Sequence, residues 1–140
     1  MSFYDCISLF RNVIPIVVVR TGQHQGYYSA APDDKMFRKL SQDYADRHPE
    51  MKRSDVCGFG FRDGITNGAE WYDLKGGMQD FNYVRSNAFE ITFEISCCKY
   101  EAASELPREW ENNRKPLLNF IASTHRGVRG MLTVIYMKTA

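Results

Sequence analysis

The chain has 140 residues, of which 44% are hydrophobic and 14% aromatic, and a chain of this length can bury about two-thirds of its unfolded surface. Its 18 basic and 17 acidic residues give a net charge of +1 without a cluster of Lys and Arg, so we expect neither nucleic acid nor an anionic membrane as a partner. The longest apolar run, Val13 to Val19, contains Pro15 and is too short to span a bilayer, so we expect no membrane segment.

This apolar run admits two interpretations. Arg11 precedes it, as a basic residue precedes the apolar core of a signal peptide, but Asp5, the shortness of the run and the lack of an A-x-A pattern after Val19 argue against one. We therefore predict no signal peptide in this chain. Val13 to Arg20 is interpreted instead as a buried strand, or as apolar sequence unrelated to the rest of the chain.

A helix is predicted after Pro32. Asp33 and Asp34 are typical of a helix N terminus. The apolar residues that follow recur at helical spacing, which indicates a face packed in the core; they are Met36, Phe37, Leu40 and Tyr44. His48 precedes Pro49, where helices tend to stop, so we expect His48 near the end of this helix, favoured there by the helix dipole.

Two turns that contain glycine follow in the middle of the chain, Thr66-Asn67-Gly68 and Gly76-Gly77. Glycine permits positive φ and the close approach of a backbone to a ligand. The second turn leads directly into Met78-Gln79-Asp80. The stretch from Gly64 to Tyr100 is therefore predicted to contain a binding loop.

The residues from Phe89 to Ile95 alternate between apolar and polar side chains, a period of two that predicts a strand with one apolar face. Glu90 and Glu94 share the other face. Same-face neighbours on a strand are about 6.6 Å apart, so two carboxylates with Thr92 between them lie too far apart to share a proton. In a central strand such carboxylates need a charge partner, a metal or a catalytic role; in an edge strand they would meet water.

A second helix is predicted from about Pro107, a favourable first-turn residue, to His125 in the last turn before Gly127. We expect its inward face to consist of Trp110, Leu117, Leu118 and Ile121. Pro116 removes one helical hydrogen bond, at a cost of roughly 3 kcal/mol if unrelieved, and is expected to kink or split the helix. The segment from Val128 to Met137 alternates loosely and predicts a further strand.

Four motifs resemble one known family: GITNGAEWY, GGMQDFNY, FEITFEISCCKY and WENNRKPLLNFIASTHRGVRG. With the upstream stretch from Tyr28 to Asp34, they are similar to the second half of the catalytic domain of zinc metallocarboxypeptidases of the carboxypeptidase N/E group. The resemblance extends from about residue 26 to 130. A run of motifs in one order is far more specific than any single motif.

The resemblance implies an α/β fold, namely a partial α/β/α metallocarboxypeptidase domain with a mixed sheet, truncated at its N-terminal half. Residues 1–25 are unmatched by any motif. Residues 26–126 are expected to form the C-terminal half of the catalytic domain. Residues 127–140 are expected to begin a transthyretin-like β-sandwich.

The resemblance also implies roles for three residues. Glu94 matches the glutamate that acts as general base on zinc-bound water and then protonates the leaving amine. Tyr72 matches the mobile tyrosine that folds over the C-terminal carboxylate of the substrate, which is a peptide or protein C terminus. Gln79 matches the base of the specificity pocket, where a polar or acidic side chain accompanies cleavage of C-terminal Lys or Arg; an amide is a weaker determinant there than a carboxylate.

In the intact family, zinc is held by His, Glu and His, and the first two come from an HxxE motif. This chain has no HxxE motif, and none of His24, His48 and His125 has a setting like that of the third ligand. We therefore predict no zinc ligand in this chain and expect the chain alone to be inactive. The lack of a CxxC motif argues against a thiolate metal site at Cys57, Cys97 and Cys98.

The resemblance further implies a disulfide between Cys57 and Cys97, with Cys98 left without its partner, and an extracellular or secretory location. The function that it implies is zinc-dependent release of C-terminal residues, Lys or Arg, from peptides or proteins. Two alternatives stay open. The chain is a zinc-free pseudoenzyme that binds peptide C termini, or it is an inactive fragment.

Overall fold

A computed structural model describes residues 12–15, 27–53, 60–72, 77–86, 88–98 and 100–128, the first of these ranges as backbone. Two strands and four α-helices are described: β1 (Asn12–Pro15), α1 (Asp34–Ala45), α2 (Gly68–Trp71), α3 (Met78–Arg85), β2 (Ile91–Glu94) and α4 (Leu106–Ala122). Short 3₁₀ turns lie at Arg62–Gly64 and Ser123–His125. The strand predicted at Val128 to Met137 falls almost wholly outside the described residues.

β1 and β2 pair as antiparallel strands, with Asn12 opposite Glu94 and Pro15 opposite Ile91. β1 overlaps the start of the predicted strand at Val13 to Arg20, and residues 16–20 lie outside the described part of the chain. Within the described residues the sheet has these two strands. The combination of helices and strands is thus confirmed, while the mixed sheet and the α/β/α arrangement stay predictions.

The apolar face of β2 is covered by α1 and α4. The ring of Phe93 stacks on Tyr44 of α1 with 3.8 Å between the ring centroids, and it meets Phe120 of α4 edge-on at 5.0 Å. Phe89, just before β2, packs edge-on against Phe37 of α1 at 5.1 Å. Such aromatic pairs contribute about 0.5–1.5 kcal/mol each beyond the area that they bury, so these contacts fix the strand against the two helices.

The inward face of α1 contains fewer large apolar residues than the predicted stripe. Its buried residues are Phe37, Ser41, Tyr44 and Ala45, whereas Met36 of the predicted stripe is 47% exposed. These positions follow the spacing i, i+4, i+7 and i+8 of one helix face. Two of them carry small side chains, which a search for large apolar residues passes over.

The face of α4 that we predicted to point inward is wrong for three of its four residues. Trp110, Leu118 and Ile121 are 56%, 62% and 63% exposed, and only Leu117 packs against the core. The observed inward face contains the buried residues Glu109, Asn113 and Pro116 and the partly buried Leu117 and Phe120. Asn113 can occupy it because its side chain is hydrogen-bonded there.

A buried hydrogen bond joins α1 to α4. Tyr44 Oη donates to Asn113 Oδ1 at 2.7 Å, and Asn113 Nδ2 donates to the Glu109 carbonyl oxygen at 2.8 Å. Burial raises the pKa of Tyr44, so its hydroxyl stays protonated and donates across the whole range in which proteins are stable. The bond therefore fixes the rotation of α4 that exposes Trp110.

We predict that Tyr44→Phe lowers the free energy of unfolding of the full chain by about 1–3 kcal/mol, because Asn113 Oδ1 is left buried without its donor. Ser41 on the same helix provides the control. Its hydroxyl is buried and has no hydrogen-bond partner among the described residues, so Ser41→Ala should leave stability unchanged or raise it. Urea unfolding monitored by circular dichroism measures both; equal effects of the two substitutions would contradict the assignment.

Pro116 does not split α4, which is one of the two effects that we expected of it. The helix runs without interruption from Leu106 to Ala122, with Pro107 in its first turn. The Pro116 ring is fully buried, so the apolar contacts that it makes offset the hydrogen bond that it removes.

None of the helices in the described ranges is both long and apolar enough to cross a membrane.

Candidate active site

The polar face of β2 lies against α3. Gln79 Nε2 donates to Thr92 Oγ1 at 3.0 Å, and Asn82 Nδ2 donates to Glu90 Oε1. Gln79 and Asn82 are three residues apart and therefore share one face of the helix. Glu90, Thr92 and Glu94 alternate along one face of the extended chain. The helix thus runs along the face that carries both carboxylates. The alternation seen in the sequence is confirmed from Phe89 to Phe93, whereas Ile95, predicted on the apolar face, is 42% exposed and lies outside β2.

A second contact fixes the far end of α3. Tyr83 Oη donates to Asp33 Oδ2 at 2.7 Å and accepts from the backbone N–H of Asp33 at 3.2 Å. Asp33 directly precedes α1, so the two helices are tied together at this point. Rigid support of this kind is what a binding site needs to hold a side chain in one place.

Glu94 ends β2 on the same polar face and is half-buried. Burial raises the pKa of its carboxyl group above the ordinary value of 4.5. In the part of the chain that the structure describes, no side chain donates a hydrogen bond to the Glu94 carboxylate or forms an ion pair with it. The two strand carboxylates therefore differ: Glu90 is engaged by Asn82, and Glu94 is available to a ligand.

The structure brings Gln79 close to the strand position of Glu94. Gln79 lies in the first turn of α3 and is bonded to Thr92, the same-face neighbour of Glu94 at a distance of about 6.6 Å along the strand. Within the described residues, the side-chain carbonyl oxygen of Gln79, Oε1, has no hydrogen-bond partner. An acceptor and a half-buried carboxylate thus share one face.

Tyr72 is the residue that directly follows α2. It is 46% exposed, and its ring packs edge-on against Trp71 at 4.7 Å, which in turn packs edge-on against Phe61 at 5.4 Å. The four residues that follow, 73–76, lie outside the described ranges. No described contact joins Tyr72 to Gln79 or Glu94, so its role over a substrate carboxylate stays a prediction.

Asn67 anchors the segment that carries Tyr72, a role that the sequence did not reveal. It is 2% exposed, its Nδ2 donates to the Ser29 carbonyl oxygen at 3.0 Å, and its Oδ1 accepts from the backbone N–H groups of Ser29 and Glu70 at 3.3 Å. The bond from Glu70 caps α2. The predicted turn at residues 66–68 is therefore a buried cross-link; an Asn before a four-residue helical segment was the signal that could have indicated it.

Positive φ also occurs at an unexpected place. Gly68 is helical, and Gly77 has a φ of −66°. The described residues with positive φ are Asp63, at 60°, and Gly64, at 74°. An Asp-Gly pair is a recognised turn sequence, so this turn could have been predicted and was not.

His48 lies just past the end of α1, where its backbone N–H donates to the Tyr44 carbonyl oxygen at 3.1 Å, and its ring serves a turn. α1 ends at Ala45, and His48 is buried, with Nδ1 accepting from the backbone N–H groups of Glu50 at 3.2 Å and Met51 at 3.0 Å. A nitrogen that accepts must be unprotonated, so the ring is neutral. The expected interaction of a cationic His48 with the helix dipole is wrong, because the chain turns back on the ring.

No zinc site is present among the described residues: they contain no group of three His, Cys, Asp or Glu side chains that could hold a metal. His125 is exposed in the 3₁₀ turn after α4, and His24 lies outside the described ranges. The residues that the structure describes thus do not fit the zinc of the resembling family.

Both Cys97 and Cys98 are disulfide-bonded. The expectation that Cys98 is left without a partner is therefore wrong, because both adjacent cysteines are bridged. A thiolate metal site at these cysteines is excluded, since a disulfide sulfur is not a thiolate. The pairing of Cys97 with Cys57 stays a prediction, because Cys57 lies outside the described residues.

We predict that Glu94 makes stability fall as pH rises. Since the folded-state pKa is raised, the folded chain binds more protons than the unfolded chain between the ordinary and the raised value. The stabilisation is complete below the ordinary pKa and is lost as pH rises through the folded pKa. Glu94→Gln should therefore be more stable than the unmodified chain at pH 7, with the difference vanishing in acid.

Urea unfolding of the full chain between pH 4 and 8 measures this effect. Glu90→Gln is the control, because glutamine keeps an oxygen acceptor for Asn82 on the same face. A stability profile of Glu94→Gln that runs parallel to that of the unmodified chain at all pH values would contradict the burial of Glu94.

Comparison with known proteins adds the family relationship. The family model described as zinc carboxypeptidase matches residues 9–116, a range that starts inside the N-terminal segment 1–25. Carboxypeptidase D of Drosophila melanogaster is 52% identical over 105 residues, which are 75% of this chain and 8% of that protein. Carboxypeptidase D of Homo sapiens is 53% identical over 112 residues, with 76% and 8% covered. The carboxypeptidase N catalytic chain of Mus musculus is 48% identical over 111 residues, with 79% and 24% covered. The chain spans less than a quarter of the length of these relatives.

Proposed function

Because the chain belongs to the zinc carboxypeptidase family, we propose that it supplies the proton-transfer carboxylate and the side-chain pocket of a carboxypeptidase that releases C-terminal Lys or Arg. The observation that carries this proposal is the placement of Gln79 and Glu94 on one polar face, joined through Thr92. The substrate would be the C terminus of a peptide or protein.

Glu94 is suited to proton transfer at the scissile bond. A general base must accept a proton from water and then return it to the leaving amine, which is most efficient when its pKa lies near the working pH. Burial moves the pKa of Glu94 in that direction. The strand fixes the carboxylate, and no described side chain competes for it.

Gln79 is suited to recognise a cation. With its amide nitrogen engaged by Thr92, its carbonyl oxygen can accept from an ammonium or a guanidinium group. Hydrogen bonds to charged donors are stronger than neutral ones. A neutral acceptor gives a modest preference for Lys and Arg, and a carboxylate at this position would give a larger one.

Zinc in this family supplies the activation of water and of the carbonyl group. Since the described residues do not provide its ligands, we propose that they come from a preceding part of the catalytic domain. A chimera tests this. It joins the part of Drosophila melanogaster carboxypeptidase D that precedes the matched region to the full chain, which is kept whole because β1 pairs with β2.

In this chimera we predict that Gln79→Glu raises the ratio of kcat/KM for a peptide ending in Lys to that for one ending in norleucine by about tenfold or more, because a carboxylate replaces a neutral acceptor of the same length. Met78→Leu is the control, since Met78 is on the exposed side of α3. If Gln79→Glu leaves this ratio unchanged, the proposal that Gln79 recognises a C-terminal Lys or Arg is wrong.

A second candidate function is binding of peptide C termini without hydrolysis. The lack of a metal-binding group among the described residues favours it. Both candidates share the pocket, and they differ in turnover, so hydrolysis by the chimera decides between them.

The remaining features of the family belong to the same proposal. We propose that residues 26–126 complete the mixed sheet of an α/β/α domain together with the preceding part, and that residues 127–140 lead into a transthyretin-like β-sandwich. We further propose a secretory or extracellular location, which the disulfide-bonded Cys97 and Cys98 support, because disulfides persist in oxidising compartments.

We propose Cys57 as the partner of Cys97. Peptide mapping of unreduced protein from a secretory host should give a Cys57–Cys97 linked peptide and no alkylated Cys98. A linked peptide that joins Cys57 to Cys98 would contradict the pairing.

A further inference from the structure

We propose that Thr92 is a specificity-positioning residue: its hydroxyl holds the Gln79 amide so that the carbonyl oxygen, and not the NH₂ group, faces the side chain of the substrate. This inference rests on the proposed function, since it concerns the same pocket. It adds which end of the amide is presented and which residue decides it.

A glutamine side chain is ambiguous by itself. Its terminal torsion has two broad orientations, and its two ends have opposite hydrogen-bonding character, one accepting and one donating. An amide that turns freely would accept from a basic substrate side chain in one orientation and donate to an acidic one in the other. Specificity for cations therefore requires that one orientation be held.

The hydrogen bond to Thr92 holds the Gln79 amide in one orientation. Gln79 Nε2 lies 3.0 Å from Thr92 Oγ1, so the donor end is turned to the strand. The carbonyl oxygen is consequently turned away from Thr92, and within the described chain no group occupies it. The pocket thus presents an acceptor on the face that it shares with Glu94.

The helix that carries Gln79 is held in place by two hydrogen bonds that do not involve Thr92. Asn82 binds Glu90, and Tyr83 binds Asp33, so α3 cannot turn or slide to change which group meets Thr92. The orientation of the amide is then decided by one hydroxyl. Neither of these two hydrogen bonds uses the Gln79 side-chain amide, so they hold the helix while Thr92 holds the amide.

The test uses the chimera and two peptides that differ only in a C-terminal Lys or norleucine, which lacks the ammonium group. Thr92→Val keeps the shape of the side chain and removes the hydroxyl, so we expect the ratio of kcat/KM, Lys over norleucine, to fall by about tenfold, through a higher KM for the Lys peptide. Thr92→Ser should restore the ratio. Tyr44→Phe, which removes the buried hydrogen bond between α1 and α4, is the control and should lower the melting temperature and leave the ratio unchanged.

Isothermal titration with free lysine and norleucine provides a second readout that does not need turnover, and the ratio of their dissociation constants should change in the same way. An unchanged ratio in Thr92→Val would overturn the inference and leave the proposed function intact. A ratio that rises would also overturn it, because the hydroxyl would then be donating to the carbonyl oxygen. If the unmodified chimera neither hydrolyses nor binds either compound, the proposed function itself fails.

Discussion

Gly64→Ala should lower the free energy of unfolding by about 2–4 kcal/mol, which for a domain of this size is a large fraction of the total. Gly64 has a φ of +74°, and a Cβ atom on it would lie 2.7 Å from the backbone carbonyl oxygen of Met51. Left-handed backbone costs a residue with a side chain roughly 1–2 kcal/mol, and crowding against a fixed atom adds roughly 1–3 kcal/mol. The obstacle is backbone, so a change of rotamer cannot relieve it.

Gly127→Ala is the matched control, because a Cβ atom there would meet nothing within 4 Å. We expect it to change stability by less than about 0.5 kcal/mol. Thermal and urea unfolding of the full chain measure both variants. If the two substitutions cost the same, the turn at Asp63 and Gly64 is not packed against Met51 as described.

Glu94→Gln should lower kcat of the chimera by about 10²–10⁴-fold, the usual contribution of a general acid or base, and should leave KM for a peptide ending in Lys nearly unchanged. Glutamine has nearly the shape of glutamate but cannot take a proton from water. The same substitution should stabilise the protein at neutral pH, since it removes the cost of a buried charge. Loss of activity together with a gain of stability is a combination that misfolding cannot produce.

Glu90→Gln controls for charge on the same face of the strand. Since Asn82 engages Glu90, we expect this variant to retain kcat within a few-fold. Steady-state kinetics of the three proteins give the comparison. Equal loss of kcat in both variants would mean that Glu94 acts as general surface charge and not in proton transfer.

The sequence predicted a strand at Phe89 to Ile95, of which Ile91 to Glu94 is observed. It predicted the two faces correctly as far as Phe93, because alternation along a strand follows directly from backbone geometry. It failed for α4, where large apolar residues were assumed to point inward. There a hydrogen bond from Tyr44 fixes the helix rotation with Asn113 inside and Trp110 outside. A buried polar residue whose partner is distant in the chain leaves no periodic pattern in the sequence.

In the candidate site, too, local sequence predicted some features, and others depend on contacts between segments that are distant in the chain. The roles of Glu94 and Gln79 follow from a resemblance of motifs, whereas their connection through Thr92 depends on the contact between α3 and β2, which only the fold determines. The helix-dipole role expected for His48 was wrong because the chain reverses after α1 and supplies backbone donors to its ring. Local sequence shows a proline after this histidine, but it does not show the turn that the two N–H groups form.

The central claim is that this chain supplies the proton-transfer and pocket residues of a zinc carboxypeptidase and that the zinc ligands lie outside its described residues. The most direct test is to measure zinc per protein and the hydrolysis of a peptide ending in Arg for the full chain and for the chimera, side by side. The account predicts little zinc and background hydrolysis for the chain alone, and one zinc with turnover for the chimera. Stoichiometric zinc in the chain alone, with turnover that is lost in Glu94→Gln, would contradict it.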